Sequence, residues 1–284
     1  MNITMDAVSR VKRQIEEKIA LDRVILPTVP DSLLRVRTIT SDDNASVSDI
    51  ARELSADASL AARILKVSNS AAFQRNGIII ENLQQAVTRL GSKLINTLAI
   101  NHSLIQVFAK PQGIAGQWVD LIRNHSINVA AQAYSLAKHY SRLNPDDALL
   151  AGLMHNVGFL PLIQLSSDLP AIDDVENPYW LALRELHTEI GAQLLQKWNF
   201  PEAIIKSAKE HDDLARNPSP VIELVDVVIV AQLTLAHTPE ALAYSKLPQL
   251  IPAYTKLGVL SPAMFSENEQ LKADFVNAYQ FLAA

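Results

Sequence analysis

Eight glycines in 284 residues leave this chain few places to turn sharply and no glycine-rich loop to cradle a phosphate. Strand-rich and doubly wound folds spend glycine on both, so the shortage points to helices. Hydrophobic residues make up 49 % of the chain and charged residues 19 %, enough apolar material for a sizeable core. The expected fold class is all-α, a two-lobed helical bundle.

Helical periodicity runs almost throughout. Asp6 to Ala20 reads as an amphipathic helix. Leu26-Pro27 and Val29-Pro30 make a stiff corner, after which Asp31 is placed to cap a helix reaching about Thr40. Ser46 and Asp49 form a capping-box pattern, and Asp57 starts a helix with Leu60, Ile64 and Val67 on one stripe. Ser68-Asn69-Ser70 stops that helix, its side chains serving local backbone. Gly77 to Ile80 is a β-branched run that reads as a strand fragment or a loop. Leu83, Val87 and Leu90 form another stripe closed by Gly91, and Ser92 restarts a helix through Phe108.

Pro111 to Gly116 is the clearest internal boundary. Four units follow: an N-terminal helix (1–22), a first lobe (23–110), a second lobe (111–239) and a C-terminal extension of short helices (240–284). In the second lobe Asn144-Pro145, Asn199-Phe200-Pro201 and Asn217-Pro218 read as breaks, the asparagine amide capping the next helix where proline follows directly.

Net charge is −5 and no Lys/Arg run exceeds two residues, which argues against nucleic-acid binding. The absence of cysteine removes disulfides, thiolate metal sites and thiol nucleophiles, and fits a reducing cytosol. The first residues lack the apolar core of a signal peptide, and Val221 to Ala236 is interrupted by Glu223 and Asp226. The expectation is a soluble, cytoplasmic protein without a membrane partner.

Four histidines fall on four successive helical segments of the second half. Trp118, Ile122, His125, Val129 and Gln132 share one face. His155 follows an apolar run and precedes Asn156. His187 shares a face with Gly191, whose missing side chain lets another backbone approach. His211 sits on a buried stripe, with Asp212-Asp213 after it. One such histidine is ordinarily a core residue with a single hydrogen bond. Four together reduce their desolvation cost best by sharing a polar pocket, as metal sites in helix bundles do. Trp118, Trp180 and Trp198 read as core.

Leu26-Pro27-x-x-Pro30, the segment Asp57 to Leu65 followed by Ser68 to Phe73, and Ala86 to Gly91 resemble the first lobe of the HDOD family. That family belongs to the HD phosphohydrolase superfamily, in its HD-GYP-like branch. Asn124-His125-Ser126, Ala151 to Gly158, His187 to Gly191, Trp198 to Pro201 and Glu210-His211 resemble its HD-like lobe, in the expected order. The likeness runs from Leu26 to about His237.

The resemblance implies an HD-domain-like architecture and a regulatory role in bacterial signal transduction. It also implies a metal site at His125, His155, Asn156, His187, His211 and Gln232. Active HD enzymes have a His-Asp doublet where this chain has His155-Asn156, and an aspartate on a later helix where it has Gln232. Asp226, about one and a half turns from Gln232, is expected to point elsewhere.

Imidazoles bind an ion without offsetting its charge, whereas carboxylates offset it and can bridge two ions. A dinuclear centre is therefore not expected. No cofactor is required, and a single divalent ion on His125, His155 and His187 is the most that the site is expected to hold, since three histidines can bind zinc or nickel. The leading expectation is a pseudoenzyme that signals through protein partners. Its rivals are a residual metal-dependent phosphohydrolase and a sensor that binds a nucleotide without cleaving it. Arg63, Asn69, Arg75 and Arg89 are candidates for the partner surface or for a phosphate, against the plainer reading of solvated helix-face groups.

Overall fold

The structure, a computed structural model, describes residues 2–20, 26–70, 73, 77–108, 111–165, 169–171, 174, 176–235, 251–259 and 263–283. These residues form helices and no strands. The first lobe and its lead-in contain α1 (Asn2–Ala20), α2 (Asp31–Thr40), α3 (Val47–Leu54), α4 (Ala58–Ser68), α5 (Leu83–Leu90) and α6 (Ser92–Val107). The second contains α7 (Gly113–Tyr140), α8 (Pro145–Met154), α9 (Phe159–Gln164), α10 (Pro178–Lys197), α11 (Glu202–Glu210) and α12 (Leu224–Leu235). Three further helices follow: α13 (Pro252–Leu257), α14 (Ala263–Glu267) and α15 (Glu269–Ala283).

The helix starts follow local hydrogen-bond demand. Ser46 and Asp49 close a reciprocal capping box on α3, and the Asp57 carboxylate accepts from the amides of Ser59 and Leu60, both at 3.0 Å. Asn144 accepts from Asp146 N at 2.8 Å with Pro145 at the first helical position.

Some expectations need correction. Asp31 is the first residue of α2, and Pro30 holds the cap position without a side-chain bond. Asn199 stands at the expected break. It adopts φ 54°, the left-handed form that asparagine tolerates, and closes α10. Asn217-Pro218 opens a loop, because α12 begins only at Leu224. Asn177 caps α10, with Pro178 at its first position.

Gly77 to Ile80 is not a strand. The Asn69 side chain imitates a strand edge instead: its Oδ1 accepts from Ile80 N at 2.7 Å and its Nδ2 donates to Ile80 O at 2.8 Å.

The 28-residue α7 is the spine. It packs on α8, α12 and α15, and its boundary with the first lobe is a bend, since it begins inside the Pro111 to Gly116 segment. One apolar core runs from Leu33 and Ile64 in the first lobe through Val129, Leu149 and Val228 to Leu282. A smaller core joins Val8 and Ile15 of α1 to Trp118, Trp180 and Leu183.

The C-terminal extension does more than the expected short helices would. The 15-residue α15 lies along α7, and its Leu282 carbonyl accepts from Arg63 Nη2 at 2.9 Å and Asn101 Nδ2 at 3.1 Å, both of the first lobe. Residues 236–250 lie outside the described set.

Candidate metal centre

The four histidines gather where α7, the α8–α9 turn, α10 and the end of α11 meet. His155 follows α8, His187 is in the middle of α10, and His211 caps α11. Gly158 makes this meeting possible. A Cβ there would stand 2.0 Å from the His187 carbonyl oxygen and 2.5 Å from Gly191 N. The sequence placed a close approach at Gly191, and Gly158 is the backbone that approaches. A stack of rings then fixes the His187 plane: Phe159 lies on it at 4.0 Å between centroids, Trp180 on Phe159 at 5.1 Å, and Trp118 on Trp180 at 4.0 Å.

Backbone carbonyls set the tautomers. His155 Nδ1 donates to Gly152 O at 2.6 Å, His187 Nδ1 to Arg184 O at 2.6 Å, and His211 Nδ1 to Ala208 O at 3.0 Å. A carbonyl can only accept, so each Nδ1 carries its proton and each neutral Nε2 presents a lone pair. His187 Nε2 and His211 Nε2 stand 3.1 Å apart, and His155 Nε2 is buried with no hydrogen-bond partner. Two facing lone pairs at that distance are repulsive until a cation or a proton joins them.

Asp212 completes the group: its carboxylate oxygens lie 3.8 Å from His187 Nε2 and 3.7 Å from His211 Nε2. Ligand atoms of His187, His211 and Asp212 all fall within 4.8 Å of one another.

Burial makes a proton a poor solution. Desolvation lowers the His187 pKa to about 3, with the nearby His211 adding to the effect and Asp212 opposing it. Desolvation likewise lowers His125 to about 4, and moves His155 and His211 down. The imidazoles are kept neutral, the form that binds metal. Two imidazole nitrogens on one tetrahedral zinc ion stand about 3.3 Å apart, close to the observed spacing. The donor set fits a single transition-metal ion.

The sequence-derived set is only partly brought together. Of His125, His155 and His187, only His187 belongs to the convergent trio. His155 flanks it, its ring 4.9 Å from that of His211, and half-buried His125 lies further out, 5.3 Å from His155. Asn156 is buried and lines a separate apolar cavity. Gln232 supports the site from behind: its Nε2 donates to the His211 carbonyl at 2.7 Å. Asp226 points elsewhere as expected, towards Arg216 and Lys256.

The expectation of a pocket without an acidic ligand is corrected by Asp212. The signal was present, because the His-Asp doublet missing at 155–156 occurs at 211–212.

The proposed partner surface changes too. Asn69 and Arg89 are occupied within the chain, Arg89 Nη1 donating to Ser68 O at 3.2 Å and Ile78 O at 3.1 Å. Arg63 remains at a pocket, described below. Arg75 lies outside the described residues.

A two-lobed helical bundle that converges histidines from successive helices on one pocket defines an HD-type scaffold. The HDOD domain family matches residues 26–214, and the chain belongs to that family. A crystal structure of a "Putative metal-dependent phosphohydrolase" from Shewanella amazonensis SB2B is similar over 98 % of this chain and 99 % of its own, with 26 % identity and a TM-score of 0.81. A "Putative signal transduction protein" from Marinobacter aquaeolei VT8 shares the fold at 20 % identity and a TM-score of 0.66, over 99 % of this chain and 66 % of its own. A Treponema pallidum (strain Nichols) protein described as uncharacterized is 25 % identical over 252 residues, 82 % of this chain. The match spans 46 % of that relative's length. No helix among the described residues is long and apolar enough to cross a membrane.

Proposed function

We propose that this chain is a non-catalytic HDOD signalling module whose histidine cluster holds one divalent transition-metal ion. His187, His211 and Asp212 would hold it, with His155 as the flanking donor. The ion would supply a fixed positive charge that joins α10 to the α11 terminus.

One observation carries the reading: among the described residues the cluster offers a single carboxylate. Two dications would bring four positive charges against one negative, because Asn156 faces another cavity and Gln232 binds backbone. The histidine side chains of the trio are no more than 2 % exposed, and only Asp212, at 44 %, reaches solvent. That arrangement suits holding an ion better than admitting a phosphate ester to it. Signalling through protein partners accords with what the HDOD resemblance implies.

Elemental analysis of the purified protein together with a hydrolysis panel tests this. The expected result is at most one metal ion per chain and no turnover of nucleotides, cyclic dinucleotides or p-nitrophenyl phosphate with added Mn, Fe or Zn.

Asp212 and the Shewanella neighbour favour a second reading, a residual mononuclear phosphohydrolase. Turnover that depends on metal and disappears in Asp212→Asn would establish it in place of the first.

A further inference from the structure

A second pocket lies away from the histidines, between α4, α6 and α7. It has a volume of about 340 Å³ and is lined by Arg63, Lys66, His102, Ile105 and Arg123. At Ile105 and Arg123 it adjoins a narrower cavity of about 150 Å³, walled by Phe108, Ile122, Leu153 and Leu160, with Ser126 and Asn156 among its polar groups.

The arginines are arranged at a cost. Arg63 and Arg123 form no ion pair among the described residues, and the Nε of each is buried without a hydrogen-bond partner. A buried donor left unmet is costly, the more so on a charged group. The two charges also act on each other: burial lowers the Arg63 pKa first, and Arg123 lowers it further. Arg63 uses one nitrogen on the Leu282 carbonyl. Asp57 caps α4 through Oδ1 and turns Oδ2 to within 3.6 Å of His102, and Asp120 lines the adjoining cavity, so two carboxylates stand against the three cations Arg63, Lys66 and Arg123. The chain as a whole is acidic, so this local surplus of positive charge stands out.

We propose that this pocket binds a small phosphate monoester with a planar, ring-sized body. The phosphate takes the Arg63 and Arg123 guanidiniums, and the ring enters the cavity beyond Ile105. A phosphate monoester carries nearly two negative charges at neutral pH and so matches two guanidiniums better than a carboxylate does. At about 150 Å³ this mainly apolar cavity has room for a benzene-sized ring. The Asn156 amide and the Ser126 hydroxyl suit a ring that bears heteroatoms. Asn156 follows His155 directly, so an occupant of this cavity would be one peptide link from the histidine cluster.

Titration calorimetry on the full chain tests this, with inorganic phosphate, phenyl phosphate and the four ribonucleoside monophosphates as separate probes. The variants are Arg123→Gln, which leaves the Leu282 tie intact, and Ile105→Trp, at a residue that is 40 % exposed. Melting curves confirm that each folds. At least one ring-bearing phosphate should bind about tenfold or more tightly than inorganic phosphate. Arg123→Gln should weaken it by about tenfold or more. Ile105→Trp should weaken the ring-bearing probe and leave inorganic phosphate unchanged. The proposal is overturned if no ring-bearing phosphate binds at millimolar concentration, if Arg123→Gln binds as well as the parent, or if His187→Ala abolishes the binding and so places it at the histidines.

Discussion

His211 and Arg216 lie five residues apart, yet the buried polar clusters around them are opposites. Arg216 is saturated. Its Nε donates to Glu210 at 2.7 Å, its Nη1 to Asp226 at 3.1 Å, and its Nη2 to Glu223. Asp226 also takes Lys256 at 3.1 Å and caps Glu223 N at 2.8 Å, while Lys206 covers the other Glu223 oxygen. Around His211 the Nδ1 atoms are satisfied, but the Nε2 lone pairs face one another. A cluster whose charges all find partners holds the fold together. A cluster of neutral imidazoles whose lone pairs face one another offers a donor set that fits a cation.

The largest expected effect breaks the closed cluster. Asp226→Asn leaves Arg216 and Lys256 buried without their shared partner and should cost about 3–5 kcal/mol in urea unfolding. A loss below about 1 kcal/mol would show that the network is not structural.

Next, the open cluster should respond to a cation. Zinc at a hundredfold excess over its dissociation constant should stabilise the protein by about 2.7 kcal/mol, and His187→Ala should abolish the response. An equal rise in melting temperature in that variant would move the ion elsewhere.

Acid should then distinguish the two clusters. The folded state holds His187 at a pKa of about 3 against 6.5 for the free side chain, so the unfolded chain binds more protons below pH 6.5. In chelator the stability is complete above pH 6.5. It falls by about 1.4 kcal/mol per pH unit for each such imidazole as pH drops towards the folded pKa. Glu223 titrates in the same sense but in a more acidic window. Burial works against its shift, but hydrogen bonds from Lys206 and Arg216 outweigh it and lower the pKa below 4.5. Its contribution therefore persists at pH 5 and is lost only in stronger acid. Denaturation at pH 7 and pH 5 should show a slope that His187→Gln reduces; an unchanged slope would contradict the assignment.

The smallest effect is local. Asp212→Asn should weaken zinc about tenfold, roughly 1.4 kcal/mol, with little change in the stability of the metal-free protein, because Asp212 is partly exposed.

The helices were legible wherever one face is buried and the ends carry their own caps, as at Ser46, Asp57 and Asn144. The histidines were legible because each occupies an apolar stripe, although periodicity cannot say which lone pairs meet. His125 therefore ranked too high and Asp212 went unassigned. Aspartate just past a helix end reads as an ordinary polar terminus, and its nearness to His187 comes from the packing of α10 against α11. Asn69 read as a helix stop, which it is, but its pairing with Ile80 joins groups eleven residues apart and leaves no local pattern. The long α15 was missed for a related reason. Its partners are on α7 and in the first lobe, more than a hundred residues upstream.

That last contact has a consequence for how the chain comes into being. A ribosome delivers Arg63 and Asn101 long before Leu282, the carbonyl that both will grip. Throughout synthesis the early lobe waits with those donors open to solvent, and its final closure is deferred until α15 has emerged and docked. The last turn thus works as a latch on the beginning of the molecule. A substitution that unseats α15 would loosen the early lobe, although the two are remote in sequence.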